Sequence, residues 1–256
     1  MSAAREVRAR LRRGAYLLPS LFTIGNIFLG FAATIHALNG HFVRAGAYLL
    51  LASVLDFLDG KIARMMGTES DFGREFDSLA DVLTFGMAPA LAAWAWGLSD
   101  LRRAGWLVPL FYVVCTATRL ARFNVQTGRT DTRWFVGLPS PAAAGTVASF
   151  LLVGVEPDWR PWFMGAMAAG LVALGVLMVS NFRYWSLKSI DLGARWSYRI
   201  ALPIAAVVLL LAFWPELFFP GFAVLYVVSG PLLWLFGRVS SSERADATQK
   251  LPPDRP

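Results

Sequence analysis

The sequence predicts an all-α fold, a polytopic membrane helix bundle of about eight transmembrane helices with a polar site on its cytosolic side. Three observations predict it. The chain is 56% apolar and only 16% charged, where a soluble domain would carry about a quarter charged residues. Its apolar residues fall into runs near the ~20 residues that cross a bilayer. Its arginines gather in alternate connecting segments, as a topology signal would. In such a bundle every backbone polar group must bond within its own helix, because lipid offers no partner.

Taken in order, residues 1–14 carry Arg5, Arg8, Arg10, Arg12 and Arg13 and read as a basic amphipathic helix on the membrane surface. The membrane domain is expected over residues 15–238 and a disordered cytosolic tail over 239–256, which is polar and holds Pro252, Pro253 and Pro256. The first apolar run, 17–38, is longer than a signal-peptide core and lacks a small-x-small cleavage site, so it reads as a retained span. Further runs follow at 42–66, 75–98, 104–125, 138–156, 161–180, 198–215 and 218–237.

Loop charge sets the orientation. The N-terminal segment and residues 66–75, 126–137, 181–199 and the tail from Arg238 form one set, which includes Arg129, Arg133, Arg183, Lys188, Arg195 and Arg199. The opposite loops break the pattern only with Arg44, Arg102, Arg103 and Arg160. Both termini are therefore expected in the cytosol. The net charge of +7 is spread over these membrane-flanking segments, which argues against nucleic acid as a partner. The single cysteine, Cys115, excludes an internal disulfide framework, and His36 and His41 lie far in sequence from the acidic residues, so no zinc cluster is formed.

Inside this apolar background stand Asp56, Asp59, Asp77 and Asp81. A charge at the centre of a membrane helix costs about 2.5–3.5 kcal/mol on insertion scales, so four would cost about 10 kcal/mol without compensation. On a helix, Asp56, Asp59, Gly60 and Ala63 fall within an arc of about 100°. Asp77 and Asp81, spaced i and i+4, share a face of the next helix. A short link containing Gly67 and ending at Gly73 lets the two faces oppose each other. Four carboxylates converging there make a hard oxygen site for Mg²⁺ or Mn²⁺, roomy enough for two ions. Gly60 and Ala63 leave space for a flat ligand, and Arg64 and Arg74 stand at the rim, where they can meet phosphate. Two other readings are salt bridges to Lys61, Arg64 and Arg74 that pin the helices, and a cation or proton transporter. Neither needs small residues between the acids.

The pattern Asp56-x2-Asp59-Gly60-x2-Ala63-Arg64-x8-Gly73-x3-Asp77-x3-Asp81 resembles the complete signature of the CDP-alcohol phosphatidyltransferases. The resemblance implies that Asp56, Asp59 and Asp77 hold two divalent ions, with Asp81 as general base and also within reach of a metal. It implies that Asp56, Gly60, Ala63, Arg64, Gly73 and Asp77 shape or contact the CDP site, and that the protein is a homodimer.

Three further segments resemble the bacterial and archaeal branch of that family that transfers to serine. They are Leu18–Asn26, Arg119–Asn124 and Phe135–Ala143, and Ser70–Val82 around the signature agrees. That branch implies CDP-diacylglycerol and L-serine as substrates, in a bacterial or archaeal cytoplasmic membrane, with the active site facing the cytosol. Glycerol 3-phosphate and inositol are the alternative acceptors within the family. A zwitterionic acceptor needs a cation for its carboxylate, and Arg119 and Arg122 at a cytosolic helix end offer one, with Asn124 nearby. Either arginine could instead anchor lipid phosphate. Asn26, buried in the first helix, could orient the site or bond a neighbouring helix. Pro139 and Pro141 suit the start of the fifth helix.

Overall fold

The computed structural model describes residues 3–66, 71–126, 134–154, 161–185 and 213–249. Helix α1 spans Ala3–Leu38, running from the basic segment into the first span, and α2 spans Phe42–Met66. Helix α3 (Asp71–Asp81) continues through a π-helical turn at Val82–Met87, helix α4 (Ala88–Ala93) and a second π-helical turn at Trp94–Leu98. Helix α5 covers Arg102–Gln126, α6 Ser140–Leu152, α7 Pro161–Val179 and α8 Pro215–Gln249.

This is a helical membrane protein. Among the described residues, five helices are long and apolar enough to cross a bilayer: Leu21–Leu38, Phe72–Leu98, Arg102–Val125, Trp162–Val179 and Leu217–Leu235. Helix α2 has the length but carries Arg44, Asp56, Asp59, Lys61 and Arg64. Helix α6 is apolar but has 13 residues against the 138–156 expected, and the chain turns at Gly154 with φ +70°. The span expected at 198–215 falls almost wholly outside the described residues.

Three differences from the sequence expectation have local causes. The single helix expected at 75–98 is interrupted twice by π-helical turns. The first turn is tied to its neighbours by side-chain bonds: its Phe85 carbonyl accepts from Tyr112 Oη at 3.1 Å, and its Thr84 Oγ1 donates to Asn26 O of α1 at 3.2 Å. Beyond Val239, where the sequence suggests a disordered tail, α8 continues to Gln249. Ser240–Gln249 contains no Gly or Pro, and extending a helix already nucleated costs little; residues 250–256 lie outside the described ones. The third difference is a small antiparallel ladder of β1 (Trp134–Val136) and β2 (Arg183–Trp185), pairing Phe135 with Tyr184. Gly137 (φ +81°) sits where any Cβ would strike the Met178 carbonyl, and its N–H bonds Phe182 O at 2.8 Å.

Small residues set the packing, as is usual where helices associate in lipid. Helix α2 lies against α1 and α6, α5 against α7, and α1 also against the α3–α4 segment. Ala33, Ala37, Ala45, Leu49 and Ala148 are buried in the main core. A Cβ on Gly46 would come within 2.7 Å of Ala148 O, and one on Gly30 within 2.8 Å of Thr84 Oγ1. The up-and-down order has a functional result. The C-terminal halves of α2, α5 and α7, the N-termini of α3 and α6, and the β ladder all gather at one end. The turn at Gly40 lies at the other, about 21 Å along α2 from Asp56 at 1.5 Å per residue.

Candidate active site

Asp56 reaches the site from α2, and Asp77 and Asp81 from successive turns of α3. One carboxylate oxygen from each lies within 4.8 Å of the other two. Asp56 and Asp77 are half-buried, and Asp81 is 9% exposed. Carboxylates this close repel one another in the ionised form, so the arrangement favours cations between them. An all-oxygen donor set of this kind suits a hard divalent ion and fits the metal expected from the sequence.

The other acidic-hairpin positions divide by what the structure describes. Asp59, Gly60, Ala63 and Arg64 belong to helix α2, but their surroundings lie outside the described residues. Gly73 is half-buried and Arg74 exposed on the first turns of α3. Ser78, between the two aspartates of α3, ties that helix to α5: Asn124 Nδ2 donates to Ser78 Oγ at 2.9 Å. Ser78 also donates to Arg74 O at 3.0 Å. This cross-link fixes the rotation of α3 and with it the direction of Asp77 and Asp81.

The two arginines of α5 go different ways. Arg119 Nη1 donates to Ser140 Oγ at 2.7 Å, and Ser140 is fully buried at the first turn of α6. Its Nε is buried without a hydrogen-bond partner among the described residues. Asp81, Asp56, Tyr226 and Tyr112 all lie near enough to act electrostatically on this guanidinium. Arg119 thus belongs to the acidic site. Arg122 turns to α7 instead, donating to Asn181 Oδ1 at 2.6 Å and to Val179 O at 3.3 Å, so it closes the C-terminal end of that helix. Asn26 is 2% exposed, and neither its Oδ1 nor its Nδ2 has a hydrogen-bond partner among the described residues. Its carbonyl receives Thr84, three residues beyond Asp81, and Leu55 lies 3.0 Å from a Cβ built on neighbouring Gly25. The side chain therefore sits at the level of the acids. Helix α6 starts at Ser140 with Pro139 as its cap and Pro141 in its first turn, as the sequence predicts.

Sequence reasoning gave no role to Ser78, Ser140, Asn181 or Tyr226. Ser78 had a local signal, lying between Asp77 and Asp81. Ser140 lay within the Phe135–Ala143 segment, whose resemblance marked it, whereas Asn181 and Tyr226 are brought in by tertiary contacts and had none.

The family model for CDP-alcohol phosphatidyltransferase matches residues 16–177. The CDP-diacylglycerol–serine O-phosphatidyltransferase of Helicobacter pylori (strain ATCC 700392 / 26695) is 38% identical over 226 residues, covering 86% of this chain and 92% of that protein. The protein of that same name from Bacillus subtilis (strain 168) is 36% identical over 168 residues, 65% of this chain and 89% of its own length. The archaetidylserine synthase of Methanothermobacter thermautotrophicus is 37% identical over 169 residues, 65% of this chain and 69% of that protein.

Proposed function

The chain belongs to the CDP-alcohol phosphatidyltransferase family, and from that premise we propose that it makes phosphatidylserine. It transfers the phosphatidyl group of CDP-diacylglycerol to the hydroxyl of L-serine and releases CMP. The observation that carries this reading is the convergence of Asp56, Asp77 and Asp81 within 4.8 Å, in the electrostatic reach of Arg119.

Asp56, Asp77 and Asp81, joined by Asp59 from the same helix, would hold divalent ions, Mg²⁺ or Mn²⁺, whose chemistry there is to draw negative charge off a pyrophosphate. Asp81 takes the proton of the serine hydroxyl as general base, one turn along the helix from Asp77. The freed oxygen attacks the lipid-side phosphorus, the bond from that phosphorus to the bridging oxygen breaks, and CMP leaves. Arg119 holds the serine carboxylate: Ser140 occupies Nη1, leaving the Nε edge of the guanidinium to an acceptor's anion. Arg122, engaged with Asn181 and Val179 O, is left out of the pocket. Gly60, Ala63, Arg64 and Gly73 belong to the CDP side in this reading, and Asn26 to the acceptor side. An eight-span topology with termini and site in the cytosol follows from the alternation of arginines along the chain.

Purified protein given CDP-diacylglycerol and Mg²⁺ or Mn²⁺ should release CMP and form labelled phospholipid from labelled serine, but not from glycerol 3-phosphate or inositol. Product from another alcohol in place of serine would overturn the acceptor. Absence of CMP release with every alcohol, alongside cation flux in vesicles, would overturn the enzyme.

A further inference from the structure

Four helices meet in a small apolar floor beneath the acids. Leu29 of α1, Ala52 of α2, Phe85 of the first π-helical turn and Ala144 of α6 are buried together there. One turn from each, always toward the end of the bundle that carries the acids, stands a polar residue. On α2 it is Asp56, ahead of the π-helical turn it is Asp81, and on α6 it is Ser140, which holds Arg119. On α1 it is Asn26. Three or four residues along a helix return to the same face, so the four make a ring over one floor.

The contacts of α1 fix Asn26 in that ring. Thr84 Oγ1 donates to Asn26 O at 3.2 Å, and a Cβ on Gly30 would come within 2.9 Å of Thr84 Cα. Helices α1 and α3 run the same way, both starting at the acid end. Asp81 lies three residues back from Thr84 and Asn26 four back from Gly30, which sets them side by side. Toward α2, a Cβ on Gly25 would come within 3.0 Å of Leu55, the residue before Asp56. A helix carbonyl points to the C-terminus, whereas the Cα–Cβ bond leans to the N-terminus. With Thr84 at its carbonyl, the Asn26 carboxamide leans away from the floor, to the level of the acids. It is 2% exposed, and neither Oδ1 nor Nδ2 has a hydrogen-bond partner among the described residues. A buried carboxamide in that state destabilises the fold until something bonds it, and a ligand can do so.

We infer that Asn26 reads the amino group of the acceptor: its Oδ1 accepts from the ammonium of serine while Arg119 holds the carboxylate. This rests on the serine-transferring reading above. Serine carries both groups on one carbon, so the acceptor for its ammonium must stand beside Arg119 and beside the base that meets the hydroxyl. Of the four ring positions, Asp56 and Asp81 serve the cations and the hydroxyl, and Ser140 is bound to Arg119. Asn26 is the position left. Its amide oxygen accepts a hydrogen bond without adding charge, whereas a further carboxylate there would repel the acids and compete for their cations.

The test uses the full chain in lipid vesicles with CDP-diacylglycerol and Mg²⁺, comparing serine with 3-hydroxypropionate, which is serine without its amino group. The readout for 3-hydroxypropionate is its KM from CMP release, or its Ki against serine where turnover is too slow to follow. Wild type should bind serine more tightly; equal affinities would overturn the inference. Asn26→Leu, close in size but without polar atoms, should raise the serine KM roughly tenfold, about the value of one hydrogen bond to a charged group. The preference for serine over 3-hydroxypropionate should fall by the same factor, with the CDP-diacylglycerol KM at its wild-type value. Asn26→Ala should repeat the loss, and is read alone if the Leu variant does not fold. Asn26→Gln, which keeps an amide oxygen, should recover part of the preference. An unchanged preference in the Leu and Ala variants would overturn the inference and leave the serine reading intact. A raised CDP-diacylglycerol KM with serine unaffected would overturn it as well, and give Asn26 to the donor's phosphates. A wild type that releases no CMP with serine would remove the reading itself, and the inference with it.

Discussion

The two halves of α2 hold their neighbours by different means. From Phe42 to Ala52 the helix touches α1 and α6 through small side chains, with Ala45, Leu49 and Ala52 fully buried and Gly46 against the Ala148 carbonyl. At Asp56 the same helix faces carboxylates of α3, and the surrounding helices are joined by polar bonds: Asn124 to Ser78, Arg119 to Ser140, Arg122 to Asn181. Close packing at one end sets the register of the helices. That register lets the other end keep three acids together at the cost of their mutual repulsion. Fold and chemistry are thus carried by different stretches of the same helices, and substitutions should separate them.

The largest effect is expected at the acids. Asp56→Asn or Asp77→Asn should cut turnover by orders of magnitude with thermal unfolding of the detergent-solubilised protein unchanged. Chelation of wild type by EDTA should abolish activity, and Mg²⁺ or Mn²⁺ should restore it. Full activity in chelator would remove the metal from the site. Next comes Asp81→Asn. General-base catalysis is typically worth about 10²–10⁴-fold, so kcat should fall by that range while CDP-diacylglycerol binding survives; near-normal kcat would take the proton transfer away from Asp81.

The arginines test the boundary between the two regimes. Arg119→Lys keeps the charge but loses the planar fork, and the serine KM should rise about 10- to 150-fold, the equivalent of ~1.5–3 kcal/mol in charge-assisted hydrogen bonds. Arg122→Lys should leave the serine KM close to wild type and lower the midpoint of thermal unfolding by a few degrees. Equal effects of the two on serine KM would erase the distinction drawn between them. Last, Gly46→Leu should destabilise the fold by about 1–3 kcal/mol, because α2 and α6 must separate to admit the side chain. Its activity per folded molecule should stay near wild type, a result readable by normalising turnover to the folded fraction. A large loss of kcat in the folded fraction would mean that the packed half also shapes the site.

The acids were legible because their information is local. Spacings of three and four residues put Asp56 with Asp59 and Asp77 with Asp81 on single helix faces, whatever the rest of the chain does. Helix positions in apolar runs were legible for the same reason, as at Phe42–Met66 and Pro161–Val179. Arg119 and Arg122 were not separable, since both are basic residues on one helix end, three positions apart. Only the approach of Ser140 to one and Asn181 to the other tells them apart. The strands Trp134–Val136 and Arg183–Trp185 are too short to show a two-residue period, and they pair across almost fifty residues of sequence. The π-helical turns also left no periodic mark, because the run they interrupt is apolar on nearly every face.

Those turns change how sequences of this kind should be compared. A π-helical turn holds about one residue more than the α-helical turn it replaces, so it takes up a residue that in an unbroken α-helix would rotate everything downstream by about 100°. The first begins at Val82, directly after Asp81, so the acidic face ends where the frame shifts; the second covers Trp94–Leu98. Deleting one residue within 82–87 would exchange the π-helical turn for an ordinary one and leave both the aspartates and Ala88–Ala93 in their seats, whereas a deletion in the α-helical part at 71–81 would rotate one side against the other. A single-residue gap in an alignment at this place is therefore absorbed by the turn without a change of angle, and the residues to be matched on either side of it belong to two separate frames.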